Sequence, residues 1–294
     1  MPNVLTPTLN DQRVTVAAIM AQPTWIRAKI SELSEGNELL SVFFTAQGAA
    51  VQGGGILHPR LSGAERYTAD DVVERAPGDE YQHVRAVDPE YRLALVKDYG
   101  GYVEITDEEI DRGDISALNN KIGQLTNTLV RKLNVKALEA VDTAAPDSLA
   151  ATAPWDQFLT VGPAEDITPH NQRPLADLIR AKTQFTRDRL GFVPDTLLVS
   201  ATDAENLAIG YAEDLDKILS AAGLTLESNP YVAEGRAYVV QRGKPGIVGY
   251  ERQLTVDIID ERKNRRKLVQ AYAVPAFAVD RPQAVKVITA TVTP

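Results

Sequence analysis

The strongest hydrophobic pattern in the chain lies between residues 106 and 145. It opens with Thr106-Asp107-Glu108-Glu109, in which Thr106 and Glu109 have the spacing of a capping box. Apolar residues then recur every three or four positions, as on one face of a helix: Ile115, Leu118, Ile122, Leu125, Leu129, Leu133, Leu138 and Val141. The pattern predicts a helix of roughly 35 residues, about three times the usual length. It should end before Pro146, and Gly113 should delay its regular part until Ile115.

Residues 65–105 have a β pattern instead, centred on the turn sequence Ala76-Pro77-Gly78-Asp79. The strand-forming residues around the turn are Val72, Val73, Tyr81, Val84 and Val87. Charged residues alternate along both branches, which favours a long, solvent-facing β-hairpin. Because a two-stranded ribbon is marginally stable alone, we expect it to pack against another subunit. The tip residues predicted to make this intersubunit contact are Arg75, Ala76, Pro77, Gly78, Asp79 and Glu80.

Residues 1–60 contain several prolines and the triple glycine 53–55, a pattern that predicts an extended arm. One short helix is expected at residues 25–33, with Thr24 as its cap. Poorly structured stretches of this length are uncommon inside compact domains. The arm is therefore predicted to reach across a neighbouring subunit.

An α/β pattern begins near residue 172. Pro174 suits the first turn of a helix, and residues 196–200 predict a strand. Thr202-Asp203-Ala204-Glu205 matches a second capping box, and Gly223 is expected to end a helix over residues 212–222. Four β patterns follow, over residues 236–241, 254–259, 267–274 and 284–292.

The composition is that of a folded globular protein, with 44% hydrophobic and 24% charged residues. The lack of cysteine excludes disulfides, thiolate metal sites and cysteine nucleophiles. A net charge of −9 argues against a dedicated nucleic-acid binder, but allows a protein that encloses DNA. Neither an 18-residue apolar stretch nor an apolar signal core is present, so membrane insertion and secretion are not predicted.

No catalytic constellation is evident, and no metal or cofactor is predicted. His58, His83 and His170 lack metal-ligand spacing. The glycine-rich residues 243–249 have proline where a phosphate loop needs Ser or Thr, and they lie between predicted strands. Acidic residues cluster at the start of the long helix, where they offset the positive end of its dipole: Asp107, Glu108, Glu109 and Asp111.

One basic run could contact an anionic partner, since cations bind phosphates with release of counterions. Its cationic residues are Arg262, Lys263, Arg265, Arg266 and Lys267. Predicted strands flank the run and Asp260-Glu261 precedes it. This context favours a solvated hairpin turn or an intersubunit salt-bridge site, and contact with packaged DNA or another anionic partner is the alternative.

Several segments resemble the major capsid proteins of tailed phages, especially phages of actinobacteria. They are VVERAPGDEY at residues 72–81, EITDEE at 104–109, FVPDTLLVS at 192–200 and YAVPAFA at 272–278. Their order also resembles that of the family, over most of the chain from about residue 50.

The resemblance implies an α+β tailed-phage major capsid protein fold, which encapsulins share. Its parts would be an N-terminal arm (1–62), an extended β-hairpin loop (63–103), a peripheral domain with a spine helix (104–165), an α/β axial domain (166–273) and a C-terminal strand returning to the peripheral domain (274–294). It further implies hexamers and pentamers in an icosahedral virion shell, assembled in the host bacterial cytoplasm. The implied partners are a portal, optionally a decoration protein, and packaged double-stranded DNA contacted without sequence specificity.

Two departures from relatives refine this picture. Some relatives cross-link neighbouring subunits covalently through a lysine near the hairpin tip, whereas no lysine occurs here between Lys29 and Lys97. We therefore expect non-covalent stabilisation. Other relatives carry a cleaved N-terminal scaffolding region of about a hundred residues, and the short segment before the hairpin predicts a separate scaffolding protein instead.

Three alternatives stay open at this point. An encapsulin-type shell would enclose cargo enzymes, a tail tube protein would be mainly β, and an unrecognised α/β enzyme would be a compact small oligomer. The long predicted helix argues against the tail tube, and the absence of convergent catalytic residues argues against the enzyme.

Overall fold

The computed structural model describes residues 39–112, 115–163 and 165–292, with only the backbone described at residues 64 and 115–117. The predicted helix at 25–33, its Thr24 cap and most of the predicted arm lie outside these residues. The helices are α1 (Leu39–Phe43), α2 (Asp107–Arg112), α3 (Ile115–Thr143), α4 (Pro174–Arg187), α5 (Ala201–Tyr211) and α6 (Leu215–Ala222). The strands are β1 (Phe44–Ala46), β2 (Gly55–Arg60), β3 (Glu90–Leu95), β4 (Tyr99–Thr106), β5 (Asp147–Ala150), β6 (Thr196–Val199), β7 (Thr225–Ser228), β8 (Arg236–Val240), β9 (Gly246–Glu261), β10 (Arg266–Ala278) and β11 (Val285–Thr289).

The long helix predicted from the apolar pattern is α3, whose 29 residues extend over about 43 Å. It begins at Ile115, as expected, and the short helix α2 precedes it. Its apolar stripe is buried through Leu118, Ile122, Leu129 and Leu133. A helix with one apolar face needs a sheet or another helix to cover that face, and a sheet covers it here.

That sheet has four strands in the order β1-β9-β10-β4. β10 pairs antiparallel with both β9 and β4, and β1 adds a parallel edge. Ile105, Val256 and Val269 meet the helix in one buried cluster. Ala271 and Ala273 are fully buried in the same cluster, and their small side chains allow α3 to lie close to the strands.

The second sheet has five strands in the order β5-β11-β8-β6-β7. Helices α4, α5 and α6 cover it, with Trp155, Phe185 and Leu197 in their shared core. A further cluster joins the two sheets, since Phe43 and Val141 pack there with strand residues of both. We call the four-stranded sheet with α3 the first lobe, and the five-stranded sheet with α4, α5 and α6 the second lobe. The two lobes therefore share a continuous apolar interior.

The sheets divide the C-terminal half differently from the sequence-based expectation. β9 and β10 lie under α3, although residues 166–273 were expected to form one α/β domain. β11 pairs with β5 and β8 in the five-stranded sheet, although residues 274–294 were expected to return to the lobe of the long helix. Periodicity in the sequence identifies a strand but not its partner strands, and the partner strands determine the lobe to which it belongs.

The cap of α5 also corrects a prediction. Ser200, and not Thr202, is the capping residue, and its hydroxyl accepts a hydrogen bond from the backbone N–H of Asp203. Thr202 lies within the helix and donates its hydroxyl proton to Glu234. The predicted Pro174 start and Gly223 stop both agree with the structure, Gly223 having left-handed backbone angles.

Candidate assembly interface

A two-stranded antiparallel ladder, β2 with β3, forms the base of a long excursion from the four-stranded sheet. Residues directly opposite in such a ladder share a face. One face carries His58, which is buried, and Arg60, which donates a hydrogen bond to the carbonyl oxygen of Ala144 at 3.1 Å. This face rests on the end of α3.

The opposite face of the ladder is apolar and exposed. Leu57 pairs with Leu93, and Pro59 with Tyr91, while Leu95 continues the row. The exposed fractions are 68% for Leu57, 63% for Tyr91, 59% for Leu93 and 60% for Leu95. We call these four residues the outer apolar face. Contiguous exposed apolar residues of this kind mark contact surfaces.

The excursion itself, residues 61–89, contains no β-strand, which corrects the prediction of paired strands at Val72, Val73, Tyr81, Val84 and Val87. Its two branches meet where the backbone N–H of Ala69 donates to the carbonyl of Arg85 at 2.9 Å. Arg85 also pairs with Asp70 at 3.0 Å and lowers the pKa of that carboxyl group. Because charges lie on both sides of each branch, neither side can be buried to stabilise a ladder. We call residues 61–89 the extended loop.

All six predicted tip residues are exposed. The backbone N–H of Asp79 donates to the carbonyl of Ala76 at 3.1 Å, and Gly78 has a φ of +94° that favours glycine. Arg75 donates to the carbonyl of Asp79 and stacks over the ring of Tyr81, 4.7 Å from its centroid. These contacts all lie within residues 75–81, so the outer surface of the tip is free for a partner.

The base of the extended loop is fastened to the second lobe. Arg66 donates a hydrogen bond to the carbonyl of Leu190, and Tyr67 to that of Arg189 at 3.4 Å. Ser62 and Glu65 close a local turn through two hydrogen bonds of 2.7 and 2.8 Å. The direction in which the loop leaves the body is therefore fixed by both lobes.

The helical segment starts at the end of β4, next to the turn between β9 and β10. The backbone N–H of Glu109 donates to the Thr106 hydroxyl at 3.3 Å, and that of Thr106 donates to the Glu109 carboxylate at 3.1 Å. These are the two reciprocal bonds of a capping box. Lys121 of α3 joins the same carboxylate, so cap and long helix are connected.

The basic run at 262–267 forms the turn between β9 and β10. Arg262 lies 2.8 Å from Asp260, Arg265 lies 3.6 Å from Glu108, and Arg266 lies 2.7 Å from Glu104. The carboxylates that neutralise the three arginines belong to the chain itself. An anionic partner would have to compete with these ion pairs.

The three histidines remain separated in space, with His58 buried and His83 and His170 exposed. Across the ranges that the structure describes, no group of three His, Cys, Asp or Glu side chains could hold a metal ion. No helix in these ranges is long and apolar enough to cross a membrane.

The sequence profile of a family described as phage capsid protein matches residues 90–288, which is more than half of the chain. The chain belongs to the phage capsid protein family. This capsid protein is thus a structural component of a virion, which agrees with the family resemblance of its segments and with its α+β architecture. No curated protein sequence matches it significantly.

Solved structures share the fold of the capsid protein at low sequence identity. A virus-like particle from Pyrococcus furiosus has a TM-score of 0.62 and 13% identity, covering 90% of this chain and 97% of the other. A structure from Mycobacterium phage Adephagia gives 0.60 and 15%, covering 88% and 91%. The capsid of cyanophage P-SCSP1u gives 0.62 and 10%, covering 85% and 87%.

The outer apolar face of the capsid protein was missed by sequence reasoning, which placed the strands between residues 65 and 105. A signal was present, since Tyr91, Leu93 and Leu95 alternate with polar or small residues as in a strand. The pairing of β3 with β2, some 30 positions earlier, is a long-range feature that local patterns do not contain.

Proposed function

We propose that this chain is the major capsid protein of a tailed double-stranded DNA phage. It would self-assemble as hexamers and pentamers into an icosahedral shell around the genome, in the cytoplasm of the host bacterium. A separate scaffolding protein, a portal and optionally a decoration protein would be its partners. Non-covalent contacts repeated around closed rings would hold the shell, since symmetry multiplies each contact.

The observation that carries this proposal is the outer apolar face of the β2–β3 ladder. Leu57 and Leu93 are exposed opposite one another on a ladder that projects from the body. Burying a leucine side chain stabilises by roughly 1.5–3 kcal/mol. A second copy of the chain lying against this face would cover it, and the exposed tip beyond would extend onto the same neighbour.

Electron microscopy of a double substitution on this face tests the proposal. Leu57→Glu/Leu93→Lys should leave the isolated subunit within about 0.5 kcal/mol of wild type, because both side chains are exposed and opposite charges directly across a ladder attract one another. Charges placed in a buried interface should prevent particle formation. The matched control Leu57→Met/Leu93→Met keeps the face apolar and should form particles. Wild-type particles from the Leu57→Glu/Leu93→Lys variant would overturn the role of this face.

Deleting residues 75–80 tests the tip separately. Its turn, hydrogen bonds and cation–π contact are all local, so the subunit should keep its thermal unfolding midpoint. Shell formation in the presence of the scaffolding protein should be impaired. Normal particles from the deletion would remove the tip from the intersubunit contact.

The match to a virus-like particle from Pyrococcus furiosus supports one alternative, an encapsulin-type shell that encloses cargo proteins. The two functions differ in what the particles contain and in the neighbouring genes. Portal, terminase and scaffold genes beside this one, together with DNA in the particles, would select the phage shell. A neighbouring cargo enzyme gene and protein-filled particles would select the alternative.

A further inference from the structure

The long helix α3 has an unusual charge distribution. Residues 115–138 contain no aspartate or glutamate, although the chain has 40 acidic residues against 31 basic ones. The basic residues of this stretch are Lys121, Arg131, Lys132 and Lys136. A net-acidic chain thus presents a long helix whose first six turns are purely cationic.

The side of α3 that faces away from the sheet is polar and exposed. Its exposed residues are Asn119, Asn120, Gln124, Asn127, Thr128, Arg131 and Lys132, and we call them the polar face of α3. Positions 120, 124, 127 and 131 follow the helical repeat, so they form one row. The row is about 16 Å long, a length over which duplex DNA presents several phosphates on each strand.

Two cations at the end of this row are available to a partner. Among the described residues, no carboxylate forms an ion pair with Arg131 or Lys132. The pKa of Glu139 is lowered mainly by the hydrogen bond from Lys136, which forms the ion pair with that carboxylate, and the charge of Lys132 contributes less. The 262–267 turn differs, because its arginines pair with Asp260, Glu108 and Glu104.

We propose that the polar face of α3 contacts the phosphate backbone of double-stranded DNA without reading its sequence. This inference rests on the proposed function and names the surface that would meet the packaged genome. Amide and hydroxyl groups beside unpaired cations are the usual partners of phosphate oxygens. The contact would be weak for each subunit and would be repeated over the whole shell.

An acidic protein segment is the competing partner for a cationic surface. Protein interfaces generally contain aromatic or aliphatic anchors at their centre. None of the seven residues of the polar face is apolar. Charge and hydrogen bonding without an apolar anchor therefore favour a nucleic-acid backbone.

Binding of a short DNA duplex to the unassembled full-length subunit tests the proposal, with fluorescence anisotropy measured over a range of salt concentrations. Arg131→Gln/Lys132→Gln should weaken binding and lower the slope of log K against log salt by about two, since each phosphate contact contributes about 0.9. Arg262→Gln/Arg266→Gln makes the same charge change at the turn, where both arginines are already paired with carboxylates, and should leave the slope unchanged. Glutamine is long, polar and compatible with a helix, so both variants should fold.

No duplex binding by the wild type at low salt would overturn the proposal, and so would any of three further results. The first is binding by Arg131→Gln/Lys132→Gln that is as tight as that of the wild type. The second is a loss of binding on changing the turn alone. The third is polyglutamate binding that is as tight as duplex binding and equally sensitive to the α3 variant, which would identify an acidic protein as the partner. Electron microscopy of the same variants shows whether they still form particles. This measurement tests the proposed shell function independently of DNA binding.

Discussion

Lys121 of α3 donates hydrogen bonds to both carboxylate oxygens of Glu109 in α2, each at 2.8 Å. The same ammonium group donates to the carbonyl oxygen of Glu104 in β4 at 2.9 Å. One lysine therefore connects the edge strand of the sheet, the capped first turn and the long helix. Because Glu109 also accepts the Thr106 backbone N–H, its ionised form is held by two elements at once.

The hydrogen bond from Lys121, followed by that from the Thr106 backbone, lowers the pKa of Glu109 below its ordinary value of 4.5. A carboxyl group with a lowered folded-state pKa stabilises the fold above its unfolded pKa and loses that contribution as pH falls through the folded pKa. Glu109→Gln keeps a capping oxygen but removes the ion pair. We expect its urea midpoint to vary less than that of wild type between neutral pH and pH values below 4.5.

Glu109→Ala is the matched control, because it removes both the cap and the ion pair. It should be less stable than Glu109→Gln at neutral pH, where the glutamine still accepts the Thr106 N–H. Identical pH profiles for wild type and Glu109→Gln would show that this carboxylate does not contribute to acid sensitivity.

Local signals were enough to predict three of the helix ends. The Thr106–Glu109 spacing, Pro174 in a first turn and Gly223 after a last turn each depend on residues within one helical turn. The Ser200 cap was missed because two overlapping segments, Ser200 to Asp203 and Thr202 to Glu205, have the same spacing. Which of the two segments forms the cap depends on contacts that are distant in sequence. Thr291 donates a hydrogen bond to the Asp203 carboxylate at 2.8 Å, and this bond holds Asp203 in place for the Ser200 cap.

The candidate interface was predicted only in part, for a related reason. Ala76-Pro77-Gly78-Asp79 is a local turn signal, so the position of the tip was readable. The strands of the hairpin were placed too near the tip, since β-branched residues there favour extended backbone whether or not a ladder forms. The pairing of Leu57 with Leu93, which creates the outer apolar face, depends on a connection of more than 30 residues.

Gly210 in α5 has no room for a side chain. A Cβ at this position would lie 2.6 Å from two ring carbons of Phe158, whose ring is buried and packs against Tyr211. Gly210→Ala should therefore destabilise the second lobe by about 1–3 kcal/mol through overpacking, less the gain of up to about 1 kcal/mol in helix propensity.

Gly123 in α3 is the control for this substitution, because a Cβ there meets nothing within 4 Å. Gly123→Ala should stabilise the subunit by about 0.5–1 kcal/mol from helix propensity alone. Urea unfolding of both variants gives the change in the free energy of unfolding for each substitution. A Gly210→Ala subunit as stable as Gly123→Ala would mean that Phe158 can move aside without cost.

Lys286 of β11 is 1% exposed, yet its ammonium group pairs with Asp147 and Asp188, which are themselves partly exposed. The ring of Phe185 lies 5.4 Å from the same nitrogen. Removing both carboxylates would leave a buried charge unpaired, which typically costs about 3–5 kcal/mol. Asp147→Asn/Asp188→Asn should be destabilised by that order in urea unfolding.

Lys286→Met should have a much smaller effect than the double asparagine variant. It removes the buried charge and leaves two carboxylates that water can reach, and replacing a buried ion pair by an apolar side chain is often neutral or stabilising. The order of the two stabilities is the decisive measurement. If Lys286→Met were the less stable variant, the ion pairs would outweigh the desolvation of the ammonium group.

The extended loop has no lysine, since none occurs between Lys29 and Lys97, and its six tip residues carry no primary amine. An amide cross-link in which the tip supplies the nitrogen would need such an amine. In mature particles boiled in SDS, the capsid protein should therefore run at its monomer position near 32.0 kDa without a ladder of multiples above it. Particles treated with an amine-reactive cross-linker, which can use lysines elsewhere on the surface, provide the positive control for ladders. A ladder of capsid-protein bands above the monomer in untreated particles would show a covalent cross-link that uses other residues. It would contradict a shell held by non-covalent contacts.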